Sequence, residues 1–163
     1  MSIDVASILR GTTLLGSVPT EDLDAVAAVS RLRAFRRGQI VFTTSDPGDT
    51  VIVVVSGRIK VTVRSADGGE LTLAIIEPGG LVGELGVVDG GPRSADAETL
   101  EECQLLLIPR EAVRDVCARV PAAGLALTNS IAAMLRRLTE STADLVSRVD
   151  ADGKKIATVC APK

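Results

Sequence analysis

The spacing of hydrophobic and polar residues changes twice along the chain. At the N-terminus, apolar residues recur every three or four positions in residues 2–10 and 20–30, which predicts two short amphipathic helices. In the second helix Thr20 is the expected N-cap, and the acidic residues Glu21 and Asp22 suit a first turn. Residues 11–19 are the predicted connection between them.

Strand-like patterns replace the helical spacing from Leu32 to Pro109. The run 51–55 consists entirely of Val and Ile, and apolar and polar residues alternate along 58–64. Between that segment and the next predicted strand, Asp67-Gly68-Gly69 is a strong hairpin signal. The predicted strands are 39–42, 51–55, 58–64, 70–76, 94–100 and 104–108. Several short strands separated by Gly and Pro turns are typical of an antiparallel barrel or sandwich.

Helical spacing returns after Pro109. A short helix is predicted over 110–118, and Pro121 suits the first turn of a longer helix that ends near Ser147. The expected organisation is N-terminal helices at 1–31, a strand-rich domain at 32–109, C-terminal helices at 110–149 and a tail at 150–163.

Composition makes the predicted core aliphatic. Of 163 residues 46% are apolar, but Phe35 and Phe42 are the only aromatic ones. Stacking of a nucleic-acid base on an aromatic ring is therefore expected to play almost no part in binding.

Charge and missing residue types exclude several functions. A net charge of −3 argues against non-specific nucleic-acid binding, and the lack of histidine removes the usual general base. With no cluster of metal ligands, no enzymatic activity, metal or cofactor is expected. Cys103, Cys117 and Cys160 lack metal-like spacing, which favours reduced thiols and a cytoplasmic location. No signal peptide or run of about 18 apolar residues is present, so no membrane association is expected.

The stretch from Gly83 to Ala95 carries the candidate chemistry. Its glycines let backbone N–H groups approach a ligand, and a short helix there would direct free N–H groups at an anion. Arg93 would supply the countercharge, whereas Glu84, nine positions earlier, must face a neutral donor such as a sugar hydroxyl. The stretch predicts a pocket for a small anion that carries hydroxyls. In the alternative interpretation, Glu84 and Arg93 merely pair with each other.

This stretch, with Pro78-Gly79-Gly80 before it, resembles the phosphate-binding cassette of cyclic nucleotide-binding domains. Residues 37–42, 46–49 and 54–61 are similar to the glycine turns of that family's β-roll. The resemblance covers roughly residues 12–148 and is closest to the bacterial catabolite activator proteins. It implies a mainly β fold: an antiparallel, jelly-roll-like β-roll with N-terminal helices and a long C-terminal helix.

The resemblance also implies a ligand and its binding residues. The ligand would be cAMP, with cGMP as the alternative, and the function would be that of a regulatory sensor that signals through the long helix. Glu84 would accept a hydrogen bond from the ribose 2′-OH, and Arg93 would pair with an exocyclic phosphate oxygen. The implied ligand-binding set is Gly83, Glu84, Leu85, Arg93, Ser94, Ala95, Ser141 and Thr142.

Ser141 and Thr142 enter that set because activator proteins read the base with a hydroxyl pair shortly after an Arg-Arg-Leu, here 136–138. Alternatively, both are solvated helix-surface residues, or Thr139 takes the role if the register differs.

The long helix has two interpretations. A near-heptad pattern favours a homodimer through residues 121–148, whereas the alternative is packing on the β-roll of the same chain. The residues of the pattern are Leu127, Ile131, Met134, Leu138 and Leu145.

Activator proteins carry a helix-turn-helix after the long helix, and residues 150–163 are too few to form one. DNA binding by this chain alone is therefore not expected. The competing functional hypothesis is a module for dimerisation or partner binding that keeps the β-roll only as a scaffold.

Overall fold

The computed structural model describes residues 4–151, with side chains described for 4–143. In chain order the elements are α1 (Val5–Arg10), α2 (Thr20–Val29), β1 (Arg31–Phe35), β2 (Ile40–Phe42), β3 (Thr50–Ser56), β4 (Ile59–Arg64), β5 (Glu70–Ile76), β6 (Leu81–Val82), α3 (Glu84–Asp89), β7 (Asp96–Thr99), β8 (Cys103–Pro109), α4 (Arg110–Arg119) and α5 (Pro121–Ala151).

The strands form two four-stranded sheets, ordered β1-β8-β3-β6 and β2-β7-β4-β5. Every strand pair is antiparallel. The predicted fold class, an antiparallel β-roll with flanking helices and a long C-terminal helix, is confirmed.

Strand β3 contains the continuous run of Val and Ile residues, and its burial explains that composition. Ile52 and Val54 belong to a buried cluster that also includes Leu105 of β8. Val51 and Val53, which alternate with them along the strand, are buried as well. Helices α3 and α4 both contact β3. A strand buried on both faces has no need of polar alternation.

The structure corrects the sequence prediction at α2 and β1, and it adds the two-residue strand β6, which was not predicted. Thr20 is the first residue of α2 rather than its N-cap, which is Pro19. The Thr20 hydroxyl instead accepts a hydrogen bond from Arg10 Nη2 at 3.0 Å. Strand β1 was not predicted, because it follows the predicted helix 20–30 directly and its alternation breaks where Ala34 meets Phe35, yet it pairs with β8 along its whole length.

The chain divides into two compact units, residues 1–130 and 131–163. Leu127 is only 7% exposed in the first unit, so it is not available as the first residue of the proposed dimer seam. Cys103 is buried and Cys117 partly so, and burial raises the pKa of both thiols. Leu145 has no described side chain, and Cys160 and most of the predicted tail lie outside the described residues.

No single helix among residues 4–151 is long and apolar enough to cross a membrane. The segments 110–119 and 121–143 meet the length and composition criteria only when they are taken together as a bent pair.

A close backbone approach joins the turn before β3 to the stretch that contains α3. A Cβ atom on Gly48 would collide with the carbonyl oxygen of Gly91, and one on Gly86 would lie 2.5 Å from Gly48 O. Since these neighbours are backbone atoms, they cannot move aside as a flexible side chain can. Glycine at 48 and 86 is therefore a requirement of the packing.

We expect Gly48→Ala to lower the free energy of unfolding by about 1–3 kcal/mol, because the added methyl overpacks this contact. Chemical denaturation measures the change. Gly11→Ala is the control, since its Cβ would meet its nearest neighbour at an ordinary 3.4 Å and the backbone there has φ −75°. Equal stability of the two variants would contradict the packing argument.

Candidate functional site

Gly83 connects β6 to α3 in a conformation that favours glycine. Its φ is +99°, and it is the N-cap of α3, which begins at Glu84. A Cβ atom here would lie 2.5 Å from Arg93 Nη1 and 2.7 Å from the Thr50 carbonyl oxygen. Glycine at this position therefore gives the Arg93 side chain its room.

Two backbone hydrogen bonds fix Arg93 to the turn before β3. Arg93 N donates to Asp46 O at 2.8 Å, and Ser45 N donates to Arg93 O at 3.0 Å. Ser45 has a φ of +75°, the one positive value of a non-glycine residue in the described part of the chain. Such strain persists where the surrounding structure holds it, as these hydrogen bonds do here.

The Arg93 side chain is a buried cation whose hydrogen bonding the chain satisfies only in part. It is 7% exposed; its Nη2 donates to Thr50 Oγ1 at 2.8 Å, and its guanidinium carbon lies 4.3 Å from the centroid of the Phe42 ring. Burial lowers the pKa of the guanidinium, and the carboxylates of Asp49 and Asp46 oppose that effect. The buried Nε–H has no hydrogen-bond partner in the structure. An anionic oxygen would satisfy this donor, which makes the position suited to a phosphate.

A cavity of about 230 Å³ lies beside Arg93. Its lining combines aromatic and aliphatic side chains with charged ones: Arg33, Phe35, Val41, Phe42, Asp46, Pro47, Asp49, Thr50, Ile52, Arg93 and Leu107. Arg93 is the one predicted site residue in this lining. Both aromatic residues of the chain border the cavity, and each has an arginine over its ring.

Glu84 and Arg93 do not pair with each other. No ion pair joins them among the residues with described side chains, and Glu84 Oε1 instead accepts a hydrogen bond from Ser130 Oγ at 3.0 Å. The alternative interpretation, in which the two charges merely neutralise one another, is therefore wrong. Each charge has its own partner, so each must be explained separately.

The other predicted site residues differ in their exposure. Leu85 is half-buried in α3, Ala95 is buried and Ser94 is exposed just before β7. Ser141 and Thr142 are exposed on α5 within the second unit, where Thr142 Oγ1 donates to Leu138 O at 2.8 Å. Thr139, the competing residue, donates to Leu135 O in the same way.

Three contacts of the site were not predicted from the sequence: Thr50 and Phe42 against Arg93, and Ser130 against Glu84. Each joins residues more than 40 positions apart, and no local spacing signals such a pairing. Among the described residues no group of three or more His, Cys, Asp or Glu side chains is placed to hold a metal ion.

Comparison with protein families gives one clear match. The family model described as the cyclic nucleotide-binding domain matches residues 32–120. This range includes both sheets apart from the first residue of β1, the cassette stretch and α4.

Two curated relatives are similar over most of the chain. The CRP-like cAMP-activated global transcriptional regulator of Mycobacterium tuberculosis (strain CDC 1551 / Oshkosh) is 37% identical over 112 residues, which are 69% of this chain and 50% of that protein. The cyclic AMP receptor protein of Thermus thermophilus is 31% identical over 137 residues, 84% of this chain and 62% of that protein. The chain thus spans about half to three-fifths of the length of these relatives.

Two solved structures have folds similar to that of this chain. The catabolite activator protein of Thermus thermophilus is 30% identical with a TM-score of 0.70, covering 83% of this chain and 63% of that one. The regulatory domain of Toxoplasma gondii PKA, crystallised with cAMP, has a TM-score of 0.64 over 69% of this chain and 42% of that one; at 24% identity this likeness shows the fold alone. Because the family model matches more than half of the chain, the chain belongs to the cyclic nucleotide-binding domain family.

Proposed function

We propose that this chain is a cyclic nucleotide receptor with a regulatory role, that cAMP is its ligand, and that cGMP is the alternative. The observation that carries the proposal is the Arg93 guanidinium, which is buried yet has an Nε–H without a partner. One curated relative is named as a cAMP-activated transcriptional regulator and another as a cyclic AMP receptor protein, which favours cAMP. The proposed activity is binding, with no catalytic step, metal or cofactor.

The proposed roles follow the cassette. Arg93 pairs with an exocyclic phosphate oxygen, Glu84 accepts a hydrogen bond from the ribose 2′-OH, and backbone N–H groups hold the rest of the phosphate and sugar. These N–H groups belong to Gly83, Leu85, Ser94 and Ala95. Ser141 and Thr142 remain the proposed base-reading pair on α5.

One observation favours the competing hypothesis of a scaffold that binds no ligand. The chain itself supplies a hydroxyl to Glu84, through Ser130. A carboxylate that already accepts a hydrogen bond inside the chain depends less on a ligand hydroxyl, so the two hypotheses must be separated by direct titration.

We expect isothermal titration calorimetry to show saturable binding of cAMP, and Arg93→Met to weaken it roughly tenfold or more, because a charge-assisted hydrogen bond is lost. The free energy of unfolding of Arg93→Met should be unchanged or raised by about 1 kcal/mol, since a buried cation with an unpaired donor is removed.

Arg58→Met is the matched control. Arg58 is an exposed arginine paired with Glu101 at 2.9 Å, and its removal should leave cAMP affinity within twofold. No binding of cAMP by the folded native chain would rule out the receptor. A stability loss in Arg93→Met that matches its loss of binding would assign Arg93 a structural role instead.

We also propose a cytoplasmic homodimer formed through residues 121–148. The near-heptad residues Ile131, Met134 and Leu138 are only half-buried in the single chain, and the adjacent Leu135 is 63% exposed, which leaves apolar surface on α5 for a second copy. DNA binding by residues 1–163 themselves is not part of the proposal, because the net charge is −3.

Sedimentation velocity should show a dimer for the native chain and a monomer for Leu138→Glu, because a charge at the proposed seam is desolvated on pairing. Thr139→Glu, at the exposed neighbouring position, should remain a dimer. A monomeric native chain, or a dimer unaffected by Leu138→Glu, would contradict this seam.

A further inference from the structure

The hydrogen bond between Ser130 and Glu84 links α5 to the cassette across 46 positions of sequence. Ser130 Oγ donates its single hydrogen to Glu84 Oε1 at 3.0 Å, and both residues are half-buried. Ser130 is the last residue of the first compact unit, and α5 continues from it directly into the second. This hydrogen bond therefore connects the proposed sugar-binding carboxylate to the long helix.

The chemistry of this contact duplicates that of the proposed ligand. A ribose hydroxyl and a serine hydroxyl are both neutral O–H donors that direct one hydrogen at an acceptor. Glu84 is proposed to accept a hydrogen bond from the ribose hydroxyl, so both hydroxyls donate to the same carboxylate. On this argument, which rests on the proposed function, we propose that the ligand's hydroxyl takes the place of Ser130 at Glu84 Oε1, so that Ser130 competes with it for this one oxygen and thereby sets the affinity for hydroxyl-bearing ligands.

Release of Ser130 leaves its hydroxyl with a ready acceptor. Thr128, Thr139 and Thr142 on the same helix each donate to the carbonyl oxygen four positions earlier, at 2.8–3.0 Å. Ser130 has the same option toward Ala126 O. The exchange therefore replaces one hydrogen bond with another and leaves no buried donor unpaired, which keeps the competition close to balanced.

The exchange also has a consequence for signalling. A ligand shifts a conformational equilibrium only when it binds one state better than the other. The ligand's hydroxyl favours the state in which Ser130 has left Glu84, so occupation of the site removes a side-chain link between α3 and α5. Ser130 is thus a positioning residue whose contact is broken in proportion to ligand binding.

The test compares two ligands on matched variants by isothermal titration calorimetry. Ser130→Ala should bind cAMP about fivefold more tightly than the native chain, because the competing donor is gone. It should bind 2′-deoxy-cAMP, which lacks the hydroxyl, within twofold of the native affinity. A general structural effect would change the affinities for both ligands alike, whereas competition would change only the affinity for cAMP.

Three further variants complete the design. Thr128→Ala removes a hydroxyl that bonds only within the helix, and it should leave both affinities unchanged. Ser130→Thr keeps a hydroxyl and should behave as the native chain does. Ser130→Cys is close to serine in size but is a weak donor, so it should bind cAMP more tightly than the native chain, as Ser130→Ala should. It replaces Ser130→Ala in the test if the alanine variant does not fold.

Weaker cAMP binding by Ser130→Ala, equal changes for both ligands, or no change for either would each overturn the competition. Absence of cAMP binding by the native chain would instead overturn the proposed function together with this inference. Binding by the native chain without the difference between the two ligands would overturn the inference alone.

Discussion

The burial of the Arg93 guanidinium is the constraint around which the site is built. A cation that is always charged loses hydration when it is buried, and the structure offsets that loss with a hydroxyl, an aromatic face and two nearby carboxylates. Several backbone features follow from it. Gly83 leaves room for the side chain, and the strained turn at Ser45 holds the backbone of Arg93. The Nε–H has no hydrogen-bond partner in the chain, and only a further acceptor would satisfy it.

Glu84 differs from Arg93 because its charge is half-buried and already has a donor. The two charges of the cassette are therefore separated in role as well as in space. Arg93 is positioned by the turn before β3, whereas Glu84 is tied to α5. A ligand that engages both charges would act on two parts of the first unit at once, and only one of those parts leads into the long helix.

The sequence was sufficient for the architecture because its signals are local. Alternation in 58–64, the Asp67-Gly68-Gly69 turn and the helical spacing after Pro109 each depend on neighbouring residues, and each predicted its element. Strand β1 was missed because it has only five residues, begins directly after α2 and loses its alternation between Ala34 and Phe35. The cassette stretch was recognised from its glycines and two charges, but its partners were not. Thr50, Phe42 and Ser130 come close only through the β-roll and α5, so their contacts depend on tertiary structure rather than on spacing.

The account depends most directly on the claim that a ligand phosphate completes the hydrogen bonding of Arg93. The ¹H–¹⁵N signal of the Arg93 side-chain Nε–H, assigned with Arg93→Lys, reports on this atom alone. The account predicts that cAMP shifts this signal downfield and slows its exchange with water, whereas adenosine, which has no phosphate, leaves it unchanged. An Arg93 Nε–H signal that does not respond to saturating cAMP would contradict the account.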